Sequence, residues 1–122
     1  TASLLAVARD DDALVVEAAC WALGERGQWV PGGDELATVV RSHPDARCRE
    51  AALGALGAIG DARGLQAVLD ALEDKPTVRR RAAVALAAFE GPAVESALAR
   101  CLQDRDWQVR EAAETLLNLG PG

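Results

Sequence analysis

Apolar residues return along this chain every three or four positions, and the pattern of their return is itself repeated. Cys48, Ala51, Ala52, Ala55, Leu56 and Ile59 fall at i, i+3, i+4, i+7, i+8 and i+11, which is one buried face of an α-helix. The stretch EAACWALGERG, starting at Glu17, matches EAALGALGAIG, starting at Glu50, a separation of 33 (50 − 17). A shift of 30 carries Cys48, Arg49, Ala52, Ala55, Leu56 and Ile59 onto Val78, Arg79, Ala82, Ala85, Leu86 and Phe89. A further shift of 31 carries Val78 and Arg79 onto Val109 and Arg110. Four long helices are therefore predicted. Shorter amphipathic stretches lie between them: Leu36, Val39 and Val40; Leu65, Val68, Leu69 and Leu72; Val94, Leu98, Cys101 and Leu102.

The punctuation agrees with this reading. Gly27, Gly60 and Gly120 follow the long helices, where a left-handed cap favours glycine, and Asp12, Asp45 and Asp106 stand at N-capping positions. Eight helices in four hairpins are expected, with units at approximately 1–27, 28–60, 61–90 and 91–122 of one domain. TASLLAVAR supplies a short first helix, and GQWVPGGDE, residues 27–35, is expected to be a longer surface loop over which Trp29 tucks onto the first unit. Two helices of this size cannot bury their apolar faces alone, so neighbours must present matching faces and the sequence must repeat.

The pattern D-x-x-V-R-x-A-A, clearest in Asp106, Val109, Arg110, Ala112 and Ala113, resembles HEAT repeats, particularly the short type named after phycobilisome lyases. The resemblance covers the whole chain and implies an all-α, right-handed α-α superhelix whose second helices line a concave side. It also implies a structural ladder joining Asp12, Asp45 and Asp106 with Arg49, Arg79 and Arg110. Two positions depart from the pattern: Val16 replaces an arginine, and Lys75 replaces an aspartate beside Asp74.

Charge and chemistry narrow the functional classes. With 19 acidic and 13 basic residues the net charge is −6, which disfavours binding to phosphate backbones. The run Arg79, Arg80, Arg81 does not change this, because consecutive helix residues point about 100° apart; Arg79 is expected in the ladder, Arg80 on the concave face and Arg81 on a flank. No apolar run approaches the roughly 18 residues of a membrane span, and TASLLAVARDDD has neither a basic leader nor a cleavage motif, so a cytoplasmic setting is expected. Cys20, Cys48 and Cys101 are too few and too scattered for a disulfide framework or a zinc site and are expected to be buried. His43, the sole histidine, is expected in a turn; no metal, cofactor or catalytic residue is expected.

A second stripe on the long helices is expected to face outward: Ala13, Glu17, Cys20, Trp21 and Gly24; Glu50, Leu53, Gly54 and Gly57; Arg80, Ala83, Val84 and Ala87; Trp107, Glu111, Glu114, Thr115 and Asn118. Within it, Glu17, Trp21, Glu50, Arg80, Trp107 and Glu111 are the candidate partner-binding residues. A shallow groove with indoles and carboxylates suits a basic peptide or amphipathic helix. The expected function is a non-catalytic protein interaction scaffold. The alternative, drawn from the lyase-like relatives, is an accessory protein that handles a tetrapyrrole or assists enzyme assembly.

Overall fold

The computed structural model describes residues 12–118, so the expected helix over TASLLAVAR and the closing Gly120 lie outside the described residues. Among the described residues there are seven α-helices and no strand: α1 (Ala13–Arg26), α2 (Gly33–Ser42), α3 (Ala46–Ile59), α4 (Leu65–Asp70), α5 (Pro76–Ala85), α6 (Pro92–Cys101) and α7 (Trp107–Asn118). Single 3-10 turns flank α4 and extend α5.

The helix ends form where the side chains allow. Asp12 and Asp45 accept from the backbone N–H groups of Leu14 and Arg47 at 3.0 and 2.8 Å, and Asp106 accepts from Gln108 at 2.9 Å. Each aspartate thereby satisfies a donor the helix cannot. Gly27 and Gly60 close α1 and α3 at φ 66° and 67°, a left-handed conformation that costs a side-chain-bearing residue about 1 kcal/mol or more.

The loop expected over 27–35 is shorter than its composition suggests, because α2 already begins at Gly33. Trp29 is buried, as expected of a tucked residue, and it reaches the start of the third unit. Its indole packs against Gly33 and Gly64, where a β-carbon at either would press on the ring. The Arg63 guanidinium lies 5.2 Å from the ring centroid and is held there by Asp61, 2.9 Å from Nη2.

The long helices α1, α3, α5 and α7 pack side by side in chain order, while α2, α4 and α6 pack on α3, α5 and α7 respectively. Leu23, Leu56 and Leu86, at matched repeat positions, are buried in the seam between these two layers. Small residues let the long helices approach. A β-carbon on Gly24 would stand 2.8 Å from Ala55 Cα, and one on Gly57 would stand 3.4 Å from Ala85 Cα. The same pair of repeat positions thus makes both crossings.

The ladder exists, but its carboxylates are not the capping aspartates. Arg49 makes a bidentate pair with Asp74 (2.9 and 3.0 Å), and Arg79 makes one with Asp104 (3.0 and 2.9 Å). Each guanidinium also donates to carbonyls of its own turn: Arg49 to His43 O, Arg79 to Asp74 O and Arg110 to Asp104 O. One side chain cannot both cap its own helix and reach the preceding hairpin, so the cap and the rung are separate residues. Lys75 therefore breaks no rung, although it leaves α5 without a side-chain N-cap: Asp74 supplies the rung and also accepts the Lys75 N–H at 2.7 Å.

The Val16 departure is matched across the interface. Two residues before the helix N-cap, the second rung has Asp104, whose Oδ1 accepts from Asp106 N; the second unit has His43 there, whose Nδ1 accepts from Asp45 N at 3.0 Å. Where the arginine is missing the carboxylate is missing too. Val16 is fully buried, so an unpaired carboxylate opposite it would carry a desolvation cost with no compensating cation.

Candidate functional site

The exposed face of the long helices is narrower than the sequence stripe suggests. Cys20, Gly24, Leu53 and Ala83, expected to face outward, are buried. A long helix here has two packed sides, one toward its hairpin partner and one toward the next long helix, so only a thin arc remains open. The row Cys20, Leu53, Ala83 lies in the helix-to-helix seam. Burial pushes the Cys20 thiol up to about 12, helped by nearby Cys48 and Glu17, and burial likewise raises Cys48 and Cys101. All three thiols are free and held protonated, which suits packing and not nucleophilic attack.

The open arc of α1 and α3 encloses a groove of about 680 Å³. Leu14, Ala18 and Trp21 line it from α1; Ala51, Gly54 and Ala58 line it from α3. Leu14 and Trp21, one heptad apart on the same helix face, are 65% and 67% exposed. A β-carbon on Gly54 would meet nothing within 4 Å, so the groove is open at that point. Glu17, Glu25, Glu50, Arg47 and Arg81 surround it.

The local charges do not cancel. Arg47 is paired with Asp45 at 3.1 Å, and that hydrogen-bonded arginine holds the Asp45 carboxyl below its usual range. Among the described residues, Glu17, Glu25, Glu50 and Arg81 form no ion pair. Three carboxylates outside any ion pair thus stand with two arginines, of which Arg47 is already paired with Asp45 and also feels Glu17.

Of the six residues singled out from the sequence, the groove brings together Glu17, Trp21 and Glu50. Arg80, Trp107 and Glu111 are exposed on α5 and α7 but do not line it, and Trp107 is 59% exposed. Arg81, expected on a flank, takes the cationic place at the groove. Sequence reasoning also missed Leu14, although a signal was present: its matched positions are Arg47, Thr77 and Gln108, so an apolar residue there is out of pattern. No group of three or more His, Cys, Asp or Glu side chains suited to a metal ion occurs among the described residues, and no helix there is long and apolar enough to cross a membrane.

Helical hairpins stacked through their second helices, with an arginine rung at two of the three steps, define an array of α-helical repeats. A family model for HEAT repeats matches residues 33–118, well over half of the chain, and the chain belongs to that family. The match runs from the start of α2 to the end of α7, which leaves α1 and its share of the groove outside it. No curated protein matches the chain.

Proposed function

We propose that this protein is a non-catalytic interaction scaffold that binds a basic or amphipathic protein segment on the face of its long helices. HEAT repeats commonly serve as interaction scaffolds, which supports the class. The observation that carries the reading is the groove between α1 and α3, where exposed Leu14 and Trp21 lie among carboxylates that form no ion pair among the described residues. Large apolar side chains left open beside unpaired charge of one sign suit a partner with both complements.

The finer architecture belongs to the same proposal. The chain is read as one domain of four hairpins coiled into a right-handed superhelix, with the long helices on its concave side and a cytoplasmic setting. Spacings of 30 and 31 between the later units support the short repeat type.

The test reverses Glu17, Glu50 and Glu111 jointly to lysine, since each exposed charge contributes only about 0.2–1 kcal/mol alone. With the fold intact by circular dichroism, the triple variant is expected to lose binding to basic amphipathic peptides that the parent binds, with Glu73→Lys and Glu95→Lys as unaffected controls. Retained binding in the triple variant, with loss in the controls, would place the interaction on the short helices instead.

A further inference from the structure

Gly54 is the glycine of α3 that packing does not explain. Gly24 on α1 sits at a close helix crossing, where a β-carbon would press on Ala55, and Gly57, on α3 with Gly54, faces Ala85 at the limit of ordinary contact. Gly54 faces open space, and a glycine in a helix interior costs about 0.5–1 kcal/mol relative to alanine. Its matched residue in the preceding unit is Trp21, so the two adjoining helices set the bulkiest side chain beside no side chain at all. Leu14, one heptad before Trp21, adds a second exposed apolar group where the other units carry polar residues.

We propose that the groove between α1 and α3 is an anchor pocket for one large apolar side chain of a protein partner, flanked in the partner by lysine or arginine. Trp21 and Leu14 supply the apolar wall, and Gly54 supplies the room. Glu17, Glu25 and Glu50, none of them in an ion pair among the described residues, outnumber Arg47 and Arg81 at the groove and select cationic flanks. The inference deepens the scaffold reading and rests on it: it assigns to one groove what that reading gives to a whole face. An aromatic or leucine anchor buried between an indole and a bare helix backbone is the arrangement in which a single side chain dominates binding.

The probe is a displayed library of random peptides selected against the intact chain. Enriched sequences are expected to carry one Trp, Phe or Leu with Lys or Arg on both sides. A synthetic copy of an enriched peptide is expected to bind Gly54→Leu and Trp21→Ala at least about tenfold more weakly than the parent. Gly54→Leu fills open space on a helix and is expected to keep the parent's circular dichroism and to melt no lower than the parent; Trp21→Ala enlarges the groove and provides an independent second variant. Enrichment of acidic peptides, or of none, overturns the proposal. Peptides that need Glu17, Glu50 and Glu111 but tolerate both groove variants overturn the anchor alone and leave the scaffold reading standing. If the parent sediments as a dimer that Gly54→Leu dissociates, the occupant is a second copy of this chain and the proposal falls.

Discussion

Replacing three glycines of the long helices by alanine, one at a time, separates helix propensity from helix packing. In isolation each change should stabilise by up to about 1 kcal/mol, because alanine loses less backbone entropy in a helix. At Gly54 the new β-carbon meets nothing within 4 Å, so Gly54→Ala is expected to gain about 0.5–1 kcal/mol. At Gly24 the β-carbon would lie 2.8 Å from Ala55 Cα, and ordinary contact begins at 3.4 Å, so α1 and α3 must part by 0.6 Å (3.4 − 2.8). The obstacle is backbone and cannot rotate away. Overpacking of this kind costs about 1–3 kcal/mol, which offsets the propensity gain and leaves Gly24→Ala roughly 0–2 kcal/mol less stable. Gly57, at 3.4 Å from Ala85 Cα, sits at the limit and is expected to fall between the two. Thermal unfolding followed by far-UV circular dichroism resolves the order, since about 1 kcal/mol moves the midpoint by about 3–6 °C in a domain of this size. If Gly24→Ala melts as high as Gly54→Ala, the close crossing of α1 and α3 is wrong, and with it the seam that buries Cys20 and Leu53.

Leu56→Ala, in the fully packed seam, is expected to cost about 2–5 kcal/mol in urea unfolding through the cavity it leaves, whereas Leu117→Ala, at the matched but half-open position of the last unit, is expected to cost less than about 1 kcal/mol. Arg79→Ala is expected to destabilise more than Arg81→Ala by about 1–3 kcal/mol, because Arg79 holds Asp104 in a largely buried bidentate pair and Arg81 holds nothing; equal losses would remove the ladder as a source of stability. Hydrogen bonds from Arg79 hold the Asp104 carboxyl below its usual range, and at Asp74 the pairs from Arg49 and the Lys75 N–H outweigh burial, which acts in the opposite direction. Both folded pKa values are depressed, so their contribution is fully present above the unfolded value of about 3.9 and is lost as pH falls through the folded value. An acid titration of stability is expected to show this loss in the parent and a shallower one in Asp104→Asn; identical acid limbs would count against the rung.

The separate duties of cap and rung show where sequence reading stops. Asp45 and Asp106 were legible as caps because capping is local: the side chain reaches a backbone N–H two residues on. Asp74 and Asp104 were not legible as rungs, because each pairs with an arginine 25 residues away and its offset from the cap differs by one between units. The paired loss of arginine at Val16 and carboxylate at His43 is likewise invisible until the two turns are set side by side. In the candidate site, Glu17, Trp21 and Glu50 could be read from repeat position, and Leu14 carried a signal in its polar matched positions, whereas Arg81 required knowing which arc of each helix stays open.

By itself the sequence determined the helical periods, their caps, the repeat spacing and the inward row Leu23, Leu56 and Leu86, since all of these follow from backbone geometry and the need to bury one apolar face. Tertiary structure decided which small residues are seam and which are open. Gly24, Gly54 and Gly57 are indistinguishable as letters, yet one meets the next helix's backbone, one touches it at the limit of contact and one faces the groove. The difference lies in the crossing of α1, α3 and α5, which is set by the summed packing of whole helices and not by any residue's own preference.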